Sequence, residues 1–245
     1  MSGHSKWHNI RVRKGAADAK RGKVYTKYAR LIEIAAREGG GDPATNVRLR
    51  ALIDGAKSES VPNANIDRAI AKGTGQLKGA AAMEEFTYEA YGPSGSAFII
   101  ECLSDNRNRA LSSVKLALTK NGGRFAENGS VMWMFERKGV VIGMQKAESR
   151  MKNVEELELE LIDFGAEDIA EDGDQIRVIT AMNDWSQIRD FLTKNGYQIE
   201  SAGLQYVAKQ TAPIDEATME KVHTVMEALE EVDDVSEVHT NATLS

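Results

Sequence analysis

Two histidines, His4 and His8, sit four residues apart and could share a metal ion through their imidazoles. No carboxylate or thiolate lies close enough in sequence to complete a ligand set, so no metal is expected. The single cysteine, Cys102, lies in the apolar run Ile99-Ile100-Glu101-Cys102-Leu103. That context predicts a buried, inert thiol, because a reactive one needs exposure and a positive field. Four scattered histidines suggest no Ser-His-Asp arrangement. Gly73-Thr74-Gly75 follows a helical stretch rather than joining strand to helix, so it fails as a dinucleotide loop. Acidic pairs such as Glu155-Glu156 and Glu230-Glu231 alternate with Leu and Val at helical spacing and read as solvated helix faces. No catalytic residues and no cofactor are expected, and the chain reads as a non-enzyme.

The cations carry a stronger signal. Lys6, Arg11, Arg13, Lys14, Lys20, Arg21, Lys23, Lys27 and Arg30 stand against one acid, Asp18, in the first thirty residues. Lysine and arginine gain affinity for nucleic acids by displacing condensed counterions from phosphates, with no need for a particular base sequence. Trp7 lies among them and could stack on a base. These ten residues are the expected nucleic-acid site. A secondary candidate is the pair Arg107 and Arg109 in Ser104-Asp105-Asn106-Arg107-Asn108-Arg109. Two arginines in the first turn of a helix oppose its dipole, which makes a phosphate or carboxylate partner plausible.

The charge balance of the whole chain hides this. Its 245 residues hold 31 basic and 37 acidic side chains, a net of −6. Up to Lys78 there are 16 basic and 7 acidic residues, a net of +9; the remainder has 15 and 30, a net of −15. A basic module is joined to an acidic body, and such asymmetry suggests that the basic part meets nucleic acid. The acidic body would face a protein partner or set orientation. No apolar run approaches the length of a membrane helix, and the start lacks the apolar core of a secretory signal, so no membrane partner and a cytoplasmic location are expected.

These residues need elements to hold them. Residues 1–22 lack periodicity. Val24, Tyr28, Leu31, Ile32 and Ala35 then mark one face of a helix stopped by Gly39-Gly40-Gly41. Asp42-Pro43 predicts the cap and first position of a second helix, and Pro62 a third, ending at Gly73. Beyond a linker the period changes to two. Strands are expected at Phe86–Ala90, Ala97–Leu103, Val131–Phe135, Val140–Met144, Gln175–Thr180 and Ile199–Val207, with a helix opening at Asn106. Leu161, Ile162 and Phe164 suggest another helix, and Asp184 with Gln187 a capping box. Leu118-Thr119-Lys120-Asn121-Gly122 recurs as Leu192-Thr193-Lys194-Asn195-Gly196. The order helix, loop, strand recurs with it, which predicts two related α+β units. The expected fold is α+β and multi-domain. A basic arm and three-helix domain (1–78) precede two ferredoxin-like, split βαβ units. One is built from 83–137 plus 207–245, and the other (138–206) is inserted in it.

Several motifs together resemble the YebC family. They are Gly3-His4-Ser5-Lys6-Trp7, Arg13-Lys14-Gly15-Ala16, Asp18-Ala19-Lys20-Arg21-Gly22-Lys23, Gly39-Gly40-Gly41-Asp42-Pro43, Tyr91-Gly92-Pro93, Asp105-Asn106-Arg107-Asn108-Arg109, Asn121-Gly122-Gly123 and Gly129-Ser130-Val131. His8 stands where the family more often has Ala, and Pro62-Asn63-Ala64 lacks a Lys expected after the proline. The resemblance implies a three-domain cytoplasmic protein, described in bacteria as a DNA-binding transcriptional regulator. Mitochondrial relatives are translational activators of cytochrome oxidase, which implies an alternative: a ribosome-associated translation factor binding rRNA near the peptidyl-transfer region.

Overall fold

The computed structural model describes residues 17–77, 82–145 and 154–245. It is an α+β molecule in which a three-helix module precedes two α+β units, the second lying in the chain between strands of the first.

Helix α1 (Ala17–Gly39), α2 (Val47–Ser58) and α3 (Asn63–Gly73) form the first module. The first six residues of α1 (17–22) fall inside the segment expected to lack periodicity, because Ala17-Asp18-Ala19-Lys20-Arg21 is rich in strong helix formers whatever its apolar pattern. α2 does not open at Asp42-Pro43. Its N-cap is Asn46, whose side chain accepts from Leu49 N at 2.9 Å, while Asp42 Oδ1 accepts from Ala44 N at 2.8 Å in a local turn. Ile32, Ala35, Ala36, Leu49, Ile53, Ala56, Ile66 and Ala69 meet in the core of the module. A side chain at Gly73 would place its Cβ 2.3 Å from the Glu33 carbonyl, so glycine is what allows α3 to lie against α1.

The first sheet has the order β3-β1-β2-β9, all antiparallel: β1 (Glu84–Tyr91), β2 (Ala97–Ser104), β3 (Arg124–Ala126) and β9 (Val235–Thr240). Helices α4 (Arg107–Lys120) and α7 (Glu216–Glu230) cover one face through Phe98, Ile100, Val114, Leu118, Val222, Met226 and Leu229. The second unit runs β4 (Phe135–Gln145), α5 (Val154–Asp163), β5 (Ala166–Asp172), β6 (Gln175–Thr180), α6 (Trp185–Lys194) and β7 (Tyr197–Ala208). Its strand order, β5-β6-β4-β7, is the antiparallel arrangement of the ferredoxin-like βαββαβ unit. Ala97, Ile99, Val131 and Phe135 form a smaller core where the two units meet, with Tyr206 and Ala208 of β7 packed on it.

The repeated Leu-Thr-Lys-Asn-Gly sequence makes the same helix end twice. Asn121 Nδ2 donates to the Ala117 carbonyl and Asn195 Nδ2 to that of Phe191, at 2.8 and 2.9 Å. Gly122 and Gly196 both adopt positive φ, 83° and 85°. Other local expectations gave way to tertiary packing. Val131–Phe135 is a short 3-10 turn (Met132–Met134) followed by β4, which joins the expected Val140–Met144 strand into one of eleven residues. Asp184 makes no side-chain cap bond to the backbone; Gln187 Nε2 instead donates to the Phe164 carbonyl and to Asp184 Oδ1. Ile162 is exposed, and Phe164 lies beyond the helix, its ring tilted by 40° against that of Phe191. A parallel pair, β8 (Ala212–Ile214) with β10 (Ala242–Leu244), adds two short strands beyond those expected.

Candidate nucleic-acid interface and the junction behind it

Lys6, Trp7, Arg11, Arg13 and Lys14 lie outside the described residues. Lys20, Arg21 and Lys23 fall on the first turns of α1, where the backbone alone is described. Lys27 and Arg30 are fully described, and both face the body. Lys27 Nζ pairs with Glu237 on β9. Arg30 Nη1 donates to the carbonyls of Leu103 at 2.8 Å and Asp233 at 2.7 Å, and lies 4.0 Å from Asp234 Oδ1. Expected as phosphate ligands, these two cations hold the helical module on the α+β body. A cavity of about 430 Å³ opens beside them, lined by Gly22, Thr26, Leu103, Val232 and Ser236.

Arg109 converges on the same turn. Asn106 caps α4 by accepting from Arg109 N at 3.0 Å, which aims the Arg109 side chain across the end of β2. There Nε and Nη2 donate to Asp234 Oδ2 and Oδ1 at 3.0 and 2.8 Å, and Nη2 also reaches Asp105 and Ser104. These hydrogen bonds to Asp234 and Asp105 push the guanidinium pKa up, and the carboxylate charges add to that. Burial alone would raise the carboxyl of Asp234. The bonds from Arg109 and Ser104, and the charges of Arg109 and Arg30, outweigh it and hold the group below its ordinary range. Arg107 is the more available of the pair. It is 60% exposed, donates to Glu84 Oε2 at 2.7 Å and lies over the Phe86 ring, leaving most of its guanidinium to solvent.

A second polar cluster lies behind Lys27. His239 Nε2 is 2.7 Å from Glu101 Oε1 and 3.6 Å from Glu237 Oε2, and Arg137 Nη2 approaches Glu101 Oε2 at 3.5 Å. The ligand atoms of Glu101, Glu237 and His239 lie within 4.8 Å of one another. Lys27 and Arg137 already balance the two carboxylates, so an ion-pair junction accounts for the cluster. Glu101 is visible in the sequence as the charged residue within an apolar strand. Asp234, separated from Arg109 by 125 residues, leaves no local signal.

Elsewhere in the helical module, Arg37 and Lys72 both meet the buried Glu33, and Arg48 bridges Glu38 and Glu85. Lys57 and Arg68 are exposed and form no ion pair with a described residue. Cys102 is buried, and burial foremost, aided by the charges of Asp234 and Glu101, pushes its thiol up to about 12. At neutral pH it is therefore a protonated core side chain and no nucleophile. Among the described residues, no helix is long and apolar enough to cross a membrane.

A basic helical module tied by ion pairs to the first of two acidic α+β units defines a class of modular protein, and comparison with known proteins gives the class its name. Residues 5–76 match the family described as TACO1/YebC protein N-terminal domain, and residues 83–242 match TACO1/YebC second and third domain. The chain belongs to this TACO1/YebC family. Its relatives include proteins named probable transcriptional regulatory protein from Pseudothermotoga lettingae (45% identical, covering 98% of this chain and 93% of that one) and Dictyoglomus turgidum (44%, 98% and 95%). The crystal structure of a conserved hypothetical protein from Aquifex aeolicus shares the fold, with a TM-score of 0.83 and 38% identity over 96% of this chain and 95% of that one.

Proposed function

We propose that this protein is a DNA-binding regulator of transcription, non-enzymatic and cytoplasmic, whose basic N-terminal part engages the phosphate backbone. One observation carries the reading: the cations up to Lys78 give that part a net +9, against −15 for the rest, while Lys27 and Arg30 are engaged in holding the module on the body. Phosphate contact then falls to Lys6, Arg11, Arg13, Lys14, Lys20, Arg21 and Lys23, with Trp7 stacking. The names of the curated relatives support a regulatory role. The same reading divides the chain into 1–78, 83–137 with 207–245, and 138–206. In its support, the first sheet draws on residues 84–126 and 235–240 and the second on 135–208.

The acidic body repels phosphate over most of its surface and so orients the module, with Arg107 as its most exposed cation near the junction. The test is recovery from cells at low salt. Enrichment of promoter DNA, abolished on replacing Lys6, Arg11, Arg13 and Lys14 by Ala, is the expected result. Co-sedimentation with ribosomes that disappears with the same substitutions, without promoter enrichment, would overturn it in favour of a translation role.

A further inference from the structure

One exposed aromatic in the acidic body is built unlike a core residue that failed to be covered. Trp133 is 53% exposed on the 3-10 turn Met132–Met134. Its indole N–H is already satisfied by the Ser130 carbonyl at 3.0 Å, and the same carbonyl accepts from the Tyr91 hydroxyl at 3.2 Å. Beneath the turn lies Glu89, which is 4% exposed. Its carboxylate accepts from three backbone amides: Gly129 at 2.5 Å, Val131 at 2.7 Å and Met132 at 2.9 Å. A buried carboxylate spent on fixing one loop is a costly device unless the loop must be rigid. What the rigid loop presents to solvent is an indole with no polar demand left.

The charges around it select the partner. Arg124 is exposed, stacks over Tyr91 at 5.1 Å and makes no ion pair with a described residue. Lys209 is exposed and is tied to the turn by its amide, which donates to the Met134 carbonyl at 2.8 Å. The exposed acids nearby are Glu127 and Glu136, and Lys138 lies 3.7 Å from Glu136 while pairing more closely with Glu167 at 2.7 Å. A pre-ordered aromatic face on a turn that Arg124 meets through Tyr91 and Lys209 through its backbone amide is suited to an unstacked base on the ring, with cations on the adjoining chain for its phosphates.

We infer that the Trp133 turn, with Arg124 and Lys209, is a second nucleic-acid contact that binds an unpaired nucleotide of a single strand. This rests on the nucleic-acid reading above and adds to it a base-stacking site on the body, distant in sequence from the basic arm.

The experiment uses the full chain with Trp7→Phe and Trp185→Phe, so that Trp133 is the sole indole. It is titrated with dT and U twelve-mers and with an abasic strand of equal phosphate count. The expected result is quenching of Trp133 emission by the base-bearing strands and little by the abasic one. In the otherwise unaltered chain, Trp133→Ala should weaken dT or U binding about tenfold, Trp133→Phe should restore most of it, and duplex affinity should be unchanged. A stronger response to dT or to U separates a melted DNA strand from RNA as the source, and either supports the site.

Equal quenching by the abasic strand, or no quenching while salt-sensitive duplex binding persists, overturns the inference and leaves the proposed function standing. Loss of all nucleic-acid binding in the unaltered chain overturns both. An emission shift that follows protein concentration without oligonucleotide would assign the indole to a second copy of the chain and overturn the inference.

Discussion

Arg109, at the start of α4, holds Asp234, in the turn before β9, through two hydrogen bonds at 3.0 and 2.8 Å across 125 residues of sequence. Asp234 is nearly buried and Arg109 half exposed, so the carboxylate depends on its donors more than they depend on it. Leu103 N also donates to the Asp234 carbonyl at 2.8 Å, and Arg30 of α1 meets the Leu103 and Asp233 carbonyls beside it. The turn at 233–234 therefore ties β2, α4 and the helical module together.

Replacing Asp234 by Ala should destabilise the protein by about 2–3 kcal/mol, below the range for a fully buried pair because Arg109 reaches water. Urea unfolding checks this. Arg30→Ala should cost less globally, about 1–2 kcal/mol, because it leaves two backbone carbonyls without a charged donor. It should also raise amide exchange or proteolysis where α1 packs on the body.

The Asp234 carboxyl sits below its ordinary value, so its contribution is fully present above the unfolded value of about 3.9 and is lost as pH falls through the lower folded value. The stability gap between the unaltered protein and Asp234→Asn should hold constant from neutral pH to about pH 5 and close below about pH 4. Urea midpoints across that range test it. A gap that closed near about pH 6 would point to a different titrating group.

Cys102, with its thiol raised to about 12, should resist thiol reagents in the folded protein and react at an ordinary rate in denaturant. Rapid modification of the native protein would show that the strand opens.

Glu89→Gln removes the anion that three amides share. Destabilisation by about 1–3 kcal/mol is expected, with faster hydrogen exchange at Gly129, Val131 and Met132 than elsewhere in the first sheet. Exchange unchanged at those amides would show that the turn is held by the Tyr91 and Trp133 bonds alone.

Much of the architecture is legible because it is written locally. A helix is expected to open at Asn106, and Asn106 caps it; the repeat at Asn121-Gly122 and Asn195-Gly196 forms the same helix end twice. The change from helical to alternating periodicity marks the first strands. Where local chemistry misleads, distant partners override it. Asp42-Pro43 offers a plausible cap, but Asn46 takes that place, its amide also donating to the Ala35 and Gly40 carbonyls. Lys27 and Arg30 look like their basic neighbours, and nothing near them in sequence reveals Glu237 or the Leu103 and Asp233 carbonyls. The Trp133 turn reads as strand because its apolar residues match either state, and the carboxylate that sets the turn lies 42 residues upstream of Val131.

The division of labour among the cations is tested most directly by the salt dependence of duplex DNA binding. With Lys6, Arg11, Arg13 and Lys14 replaced by Ala, the slope of log affinity against log salt should fall by about 0.9 for each phosphate that is no longer neutralised, while Lys27→Ala and Arg30→Ala should leave it unchanged and lower stability instead. A slope unaffected by the four arm substitutions, or reduced as much by Lys27→Ala or Arg30→Ala, would contradict the account.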